Sequence, residues 1–100
     1  MQLRLRTYTL RAGREAEFIE KWNDTLVPLR REVGFDVVGS WFSPQTREFV
    51  WIVGWSGAGD YDAAEQDYYD SPLRAQVTWD AADYVEAVDV RPVEDVFTSR

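Results

Sequence analysis

The 100-residue chain contains no cysteine and no histidine. Without cysteine it cannot form a disulfide, a thiol nucleophile or a zinc–thiolate site. Without histidine it lacks the commonest general base, the usual ligand of haem iron and the preferred side-chain ligand of transition metals. We therefore expect no metal site, no bound cofactor and no acyl-transfer triad, because such a triad needs a base beside its nucleophile.

Long apolar runs and an excess of positive charge are also missing. No apolar run approaches the ~20 residues that cross a bilayer, and residues 1–10 alternate polar and apolar side chains, unlike a signal peptide. The formal net charge of −7 argues against nucleic acid and anionic membrane surfaces as partners. Together with the absence of cysteine, these features predict a cytoplasmic bacterial protein with neither nucleic-acid nor membrane partners.

Aromatic side chains, in contrast, are abundant. They make up 15% of the residues, with five tryptophans, and hydrophobic residues together reach 45%. A chain of this length can bury roughly 65% of its unfolded surface, so a packed core is available. Neither a repeat nor a linker divides the sequence, and residues 1–100 are predicted to form a single domain.

Residues 49–55 form the most apolar segment, and a strand at this position would have no charged side chain on either face. One face would carry Phe49, Trp51, Val53 and Trp55, and the other Val50, Ile52 and Gly54. A half-solvated strand carries polar side chains on one face. We therefore expect helices to cover one face and a second copy of the chain to cover the other.

Hydrophobic patterning predicts the first two elements. Alternation predicts a strand over residues 2–10, and apolar residues at steps of three and four predict a helix over residues 15–33. Pro28 lies inside that helix and cannot donate a hydrogen bond to the carbonyl of Asp24, so we expect a kink or a break there. The apolar stripe of this helix leaves Arg30 aside and comprises Phe18, Trp22, Leu26, Leu29 and Val33.

The second half of the chain continues the alternation of elements. Its predicted parts are a strand over 35–43, a hairpin into the strand over 49–55, a helix capped by Asp60, a short helical piece begun by Ser71 and Pro72, and a strand over 81–91. The order βαββαβ predicts an α+β protein of the ferredoxin-like type, with a four-stranded antiparallel sheet and two helices on one face. Because the other sheet face is also apolar, we expect two copies to pair as a dimeric α+β barrel.

Several short segments along the chain resemble NIPSNAP-domain proteins. They are residues 5–10 followed by Ala12-Gly13, residues 27–29, Gly39, residues 49–51 and residues 68–74. The chain departs from the family pattern at Ala12, where proline is usual.

The resemblance implies the dimeric α+β barrel fold. Proteins with that fold include cofactor-free antibiotic-biosynthesis monooxygenases, haem-degrading enzymes, chlorite dismutases and muconolactone isomerases. The absence of histidine separates this chain from the haem-using relatives. For most small NIPSNAP-like proteins no reaction is established, so the resemblance supports the fold more than any activity.

Arg6 and Tyr8 are the candidate catalytic residues. They share one face of the first strand, which we expect to lie inside the barrel, opposite a helix-packing face that carries Leu3 and Leu5. A guanidinium and a phenol at such a place can hold a carboxylate, a phenolate or an enolate. The alternative is structural: Arg6 pairs with a carboxylate across the dimer, and Tyr8 caps a backbone group.

Further candidates for ligand binding are aromatic or lie at the expected helix break. Together with Arg6 and Tyr8, the predicted ligand-binding residues are Trp22, Trp41, Trp51, Tyr68 and Arg74. Large aromatic side chains also form cores and interfaces, and an arginine beside a helix end also pairs with a neighbouring acid. Both interpretations remain open from the sequence.

Acidic side chains are dense along the second helix. They are Asp60, Asp62, Glu65, Asp67 and Asp70. A hard cation would need a loop of the metal-binding type, which the sequence does not offer. We interpret these residues as a solvated acidic face.

Three functional hypotheses follow, from different classes. The first is a homodimer that binds a small aromatic or polyketide-like molecule, anchored by Arg6, Tyr8 and Arg74. The second is a cofactor-independent monooxygenase or cyclase, in which Arg6 stabilises an anion of the substrate and Tyr8 shuttles a proton. The third is a non-catalytic scaffolding dimer whose aromatic side chains all serve an interface.

Overall fold

The computed structural model describes residues 1–97, which contain a four-stranded antiparallel sheet with helices on one face. The strands are β1 (Gln2–Leu10), β2 (Asp36–Ser43), β3 (Glu48–Trp55) and β4 (Val85–Val93), and the helices are α1 (Glu15–Lys21), α2 (Val27–Glu32) and α3 (Tyr61–Asp70). The strand order in the sheet is β2-β3-β1-β4. This arrangement confirms the predicted ferredoxin-like α+β fold.

The strand register determines which side chains share a face of the sheet. Tyr8 is paired with Phe49, and Arg6 with Trp51. Directly opposed residues of an antiparallel pair point to the same side. The rings of Phe18 in α1 and Phe49 meet edge to face at 5.5 Å between centroids, so this is the face on which the helices pack.

This packing corrects one prediction. Arg6 and Tyr8 were expected opposite the helix-packing face, but they lie on it, while Leu3 and Leu5 lie on the other side. The physical reason is in β3, which contributes its buried Trp51 to the same face. The guanidinium carbon of Arg6 lies 5.6 Å from the ring centroid of Trp51, and its charge is compensated by Glu65 of α3.

The other side of the sheet, here called the open face, is not covered by a helix of the described chain. Its apolar side chains include Leu3, Leu5, Trp41, Val50 and Ile52, as the register of β1, β2 and β3 shows. Trp41 is 58% exposed. As expected, helices of the chain cover one face of the sheet, and the other face carries apolar side chains.

The predicted helix over residues 15–33 is interrupted before Pro28. Residues Trp22–Leu26 form a wide, π-helical turn in which the amide of Val27 donates to the carbonyl of Trp22. Since proline cannot donate to the preceding turn, the wide turn accommodates it. The extra residue in this turn rotates the following residues, and it brings Arg30 to the buried side, where Arg30 is 3% exposed.

The segment after β3 follows the predicted caps. The carboxylate of Asp60 accepts a hydrogen bond from the amide of Ala63 at 2.8 Å and begins α3. The hydroxyl of Ser71 accepts from the amide of Arg74 at 3.2 Å, which begins the 3₁₀ turn Arg74–Gln76. A further 3₁₀ turn, Ala81–Asp83, replaces the expected start of the last strand.

Two remaining expectations concern the edge of the sheet and membranes. Pro92 lies in β4, which is an edge strand, as expected for a proline within a sheet. Among the helices of residues 1–97, none has the length and apolar character needed to span a membrane.

Candidate functional site

A cavity of about 260 Å³ lies between the helix-covered face of the sheet, α2 and the segment that follows α3. Its walls are aromatic and aliphatic, with arginine and tyrosine groups set among them. The lining residues on the sheet and on the first helical segment are Arg6, Tyr8, Phe18, Leu26, Arg30, Trp51, Val85 and Val88. Those contributed by α3 and the segment after it are Tyr68, Tyr69, Arg74, Ala81 and Ala82.

Arg6 is held by three partners at the floor of this cavity. Its Nε donates to the Tyr8 hydroxyl at 2.8 Å, its Nη1 to Glu65 Oε1 at 2.8 Å, and its Nη2 to the Tyr69 hydroxyl at 3.4 Å. Burial would lower the pKa of Arg6, but the neighbouring Tyr8, Tyr69 and Glu65 raise it above its ordinary value. The guanidinium is therefore a permanent cation in the site.

Arg30 is the most buried charged residue of the site, at 3% exposure. Its Nη2 donates to Glu65 Oε1 at 3.1 Å and to the Tyr69 hydroxyl at 3.3 Å. Its guanidinium carbon lies 4.1 Å from the ring centroid of Tyr68 and 4.9 Å from that of Phe35. These contacts hold the guanidinium plane in one orientation by hydrogen bonding and cation–π attraction.

One carboxylate thus serves two arginines. Burial would raise the pKa of Glu65, but the charges of Arg6 and Arg30 outweigh it and keep that pKa below its ordinary value. Glu65 is accordingly an anion that accepts from both guanidiniums. It was interpreted from the sequence as part of a solvated acidic face, and this interpretation is wrong for Glu65.

Three residues that line the cavity each carry a buried hydrogen-bond donor without an acceptor among the described residues. The donors are Arg30 Nη1, Arg74 Nε and Trp51 Nε1. Arginine and tryptophan side chains offer donors only, with no acceptor. A buried donor without an acceptor is costly, so the chemistry of the site is matched by a group that supplies acceptor oxygens.

Five of the seven predicted ligand-binding residues line the cavity. They are Arg6, Tyr8, Trp51, Tyr68 and Arg74. Trp22 lies behind the wall, where its ring meets that of Trp51 edge to face at 5.3 Å. Trp41 lies on the open face, because its position in β2 is opposite Val50 of β3, and it is no part of this site.

The structural alternatives considered for these residues differ from what is observed. Arg6 pairs with Glu65 of its own chain instead of a carboxylate across a dimer. Tyr8 accepts from Arg6 Nε instead of capping a backbone group, which leaves its own proton available to a ligand. Arg74 forms no ion pair with an acid among residues 1–97.

Sequence reasoning missed Arg30, Glu65 and Tyr69. On a regular helix Arg30 would lie about 80° around the axis from Trp22, eight residues earlier, and the π-helical turn before Pro28 brings it to the buried side. Glu65 follows Tyr61 by four and precedes Tyr68 by three, so it shares the buried side of α3 with two tyrosines. The spacing of Glu65 was therefore a usable signal, whereas the position of Arg30 depends on an irregular turn that the sequence pattern does not show.

Within the described part of the chain, no cluster of three or more acidic, histidine or cysteine side chains is placed to hold a metal ion. Two acids of α3 pair with different arginines. Glu65 binds Arg6 and Arg30, while Asp62 lies 3.5 Å from Arg4.

The fold is shared with several solved structures. An uncharacterized NIPSNAP domain protein from Burkholderia xenovorans superposes with a TM-score of 0.80 at 19% identity over all of both chains. A NIPSNAP family protein from Agrobacterium tumefaciens gives 0.80 at 12% identity, covering 97% of this chain and 88% of its own. A candidate antibiotic biosynthesis monooxygenase from Bacteroides thetaiotaomicron gives 0.71 at 14% identity, covering 99% and 92%.

At these identities the likeness to solved structures concerns the fold alone. No functionally curated protein shows significant similarity to the chain. The sequence model of the NIPSNAP family, however, matches residues 3–93, which include the three helices and all of the four strands except Gln2 at the start of β1. The chain therefore belongs to the NIPSNAP family.

Proposed function

We propose that the protein is a homodimer that binds a small aromatic anion in the cavity beneath α2 and α3. The observation that carries the proposal is that Arg30, Arg74 and Trp51 each have a buried donor without an acceptor among residues 1–97. A carboxylate, a phenolate or an enolate supplies the missing acceptor oxygens. The aromatic walls supply contacts for a ring.

The charge of the lining supports an anionic ligand over a neutral one. Arg6, Arg30 and Arg74 line the cavity, and Glu65 is the one acid that pairs with any of them in the described chain. Charges removed from water without compensation are expensive. An anion that enters the cavity lowers this cost, whereas a neutral or cationic ligand does not.

The volume of the cavity indicates the size of the ligand. A dry apolar cavity of about 150 Å³ is enough to hold benzene, and pockets for drug-sized ligands begin near 300 Å³. At about 260 Å³, the cavity suits one substituted ring better than a polyketide of several rings. We accordingly narrow the ligand class to single-ring anions.

The homodimer is proposed from the open face of the sheet. Val50 and Ile52 on the central strand β3 and Leu5 on the central strand β1 lie on this side, beside the exposed ring of Trp41. Burial of apolar surface contributes about 25 cal/mol per Å². A second copy that presents the same face would bury these side chains and complete the second layer of each sheet.

Binding of benzoate tests the proposed ligand class. We expect benzoate to change the fluorescence of buried Trp51 in a saturable titration, with heat released in parallel calorimetry. Arg30→Gln should weaken the affinity at least about tenfold, because it removes a charge-assisted hydrogen bond. Arg31→Gln is the matched control: Arg31 is adjacent in sequence but exposed, and its substitution should leave the affinity unchanged.

The proposal is wrong if benzoate and its ring-substituted acids all fail to bind. It is also wrong if Arg30→Gln and Arg31→Gln have equal effects on binding. Circular dichroism of both variants separates a loss of binding from a loss of folding.

A second candidate function is cofactor-independent oxygenation, and one specific contact favours it. Arg6 Nε lies 2.8 Å from the Tyr8 hydroxyl in the wall of the cavity, so a cation and a proton donor stand together. In this reaction a bound phenolate supplies the electrons. One atom of O₂ replaces two hydrogens to give a quinone, and the other atom leaves as water.

Oxygen uptake with phenolic substrates tests this second function. Wild type should consume one O₂ per quinone formed, and both Arg6→Ala and Tyr8→Phe should slow the reaction by about 10²-fold or more if they carry charge stabilisation and proton transfer. Equal rates in all three proteins would remove the assigned roles. The scaffolding hypothesis has less support, since the buried aromatic rings of Phe18, Trp22 and Trp51 lie between helices and sheet, away from the open face.

A further inference from the structure

We infer that the natural ligand carries two anionic groups, one bound by Arg30 and the other by Arg74. This inference rests on the proposed function of the cavity and specifies the class of ligand further: a single-ring dianion, such as a benzenedicarboxylate, in preference to a monocarboxylate.

The first anionic position is defined by Arg30. Its Nη2 is already occupied by Glu65 and Tyr69, and the ring of Tyr68 lies against the guanidinium at 4.1 Å. The guanidinium therefore cannot turn to find another acceptor without breaking these contacts. Its Nη1 remains buried and without an acceptor in the described chain, although Arg30 is only 3% exposed.

Glu65 cannot neutralise both of the arginines to which it is bound. Its Oε1 accepts from Arg6 at 2.8 Å and from Arg30 at 3.1 Å. Two positive charges and one negative charge leave a net positive charge in this group. One ligand carboxylate beside Arg30 Nη1 would compensate it.

The second anionic position is defined by Arg74, which belongs to a different part of the fold. Its backbone amide is fixed by the hydroxyl of Ser71 at the start of the 3₁₀ turn. Its Nε is buried without a hydrogen-bond partner, and no acid of residues 1–97 forms an ion pair with it. Arg74 therefore adds to the cavity lining a second cation, partly buried and without a carboxylate partner in the described chain.

The two positions belong to one site. The guanidinium carbon of Arg30 lies 5.5 Å from the ring centroid of Tyr69, and that of Arg74 lies 5.9 Å from the same centroid. Two cations beside one ring repel each other, and one of them, Arg30, is almost fully buried. A monocarboxylate would leave one of them uncompensated, whereas a dianion on a single ring compensates both.

The test compares ligands that share one benzene ring and differ in the number of carboxylates. Benzoate and the three benzenedicarboxylate isomers are titrated calorimetrically into the full chain at neutral pH, where both carboxylates of each isomer are ionised. The isomer with the best spacing should bind at least about tenfold more tightly than benzoate, the ratio expected for one additional charge-assisted hydrogen bond. Inorganic phosphate, which carries similar charge without a ring, should bind at least about tenfold more weakly than that isomer.

Variants of Arg74 test whether this residue causes the preference for a dianion over benzoate. Arg74→Gln should reduce the preference for the dianion to less than about threefold, because one of the two compensated charges is gone. Arg74→Lys, which keeps the charge, should retain most of the preference, and Arg31→Gln should retain all of it.

Two results would overturn the inference while leaving the proposed function standing. One is a wild-type preference of less than about threefold for every isomer over benzoate. The other is a preference that persists unchanged in Arg74→Gln. Failure of benzoate and of all three isomers to bind contradicts the proposed function itself. If phosphate binds as tightly as the best isomer, the cavity binds the anionic group without needing the ring. This result would overturn the proposed aromatic ligand class.

Discussion

The carboxylate of Glu65 and the guanidinium of Arg30 are joined across the interior by a hydrogen bond of 3.1 Å, from Nη2 to Oε1. The two residues are 35 positions apart in sequence and come from different helices. The same Oε1 also accepts from Arg6 of β1 at 2.8 Å. This shared oxygen connects α2, α3 and the sheet, while Arg30 Nη1 stays buried without an acceptor among the described residues.

Glu65→Gln should destabilise the protein, because it leaves two largely buried guanidiniums without their carboxylate. Breaking a buried ion pair by removal of one partner costs about 3–5 kcal/mol, and the measurement is the free energy of unfolding in urea. The control is Asp62→Asn, since Asp62 lies 3.5 Å from Arg4 with 84% of its side chain exposed. An exposed pair contributes about 0–1 kcal/mol, so equal losses in the two variants would contradict a special position for Glu65.

The pH dependence of stability should report the same carboxylate. Burial acts to raise the pKa of Glu65, but Arg6 and Arg30 hold it below its ordinary value of 4.5. A lowered pKa in the folded state means that the stabilisation is complete above the unfolded pKa and is lost as pH falls below about 4.5. Wild type should therefore lose more free energy of unfolding on acidification than Glu65→Gln, and parallel curves for the two proteins would argue against a charged Glu65.

Trp51 should contribute strongly to the stability of the core. Its side chain is 2% exposed and lies between Trp22 and the guanidiniums of Arg6 and Arg30. Trp51→Ala is expected to cost about 3–5 kcal/mol, the range for truncation of a large buried aromatic. The control is Val96→Ala, because Val96 is 81% exposed, and a urea titration that finds similar values for both variants would show that the packing is misassigned.

Light scattering on the purified chain tests the homodimer. At micromolar concentration we expect a particle of twice the 11.6 kDa chain mass. Ile52→Glu should reduce it to a single chain, because a charge on the open face opposes burial there. Arg31→Glu, which changes an exposed residue of α2, should leave the mass unchanged. A wild-type mass of one chain would remove the dimer from the proposal.

Alternation and turn residues were sufficient to predict the fold. The apolar character of both faces of residues 49–55 identified a central strand, and β3 is paired on both sides. Asp60 was predicted as a cap and does begin α3. These features are local, since each depends on spacing along a short segment and on one side chain near its own backbone.

The site could be predicted only in part, because it depends on relations between distant segments. Considered alone, β1 suggests that Leu3 and Leu5 face the helices; the partner strand β3 decides otherwise, since Trp51 lies opposite Arg6. The position of Arg30 depends on the extra residue that the π-helical turn before Pro28 inserts. A regular helical wheel cannot reproduce such a rotation.

A crystal structure with 3-bromobenzoate tests the central claim most directly, since the anomalous signal of bromine locates the ring without ambiguity. We predict bromine density in the cavity between Trp51 and Tyr68, with a carboxylate oxygen about 2.8 Å from Arg30 Nη1. Bromine density only outside the cavity, or a carboxylate turned away from Arg30, would contradict an anion site organised by this arginine.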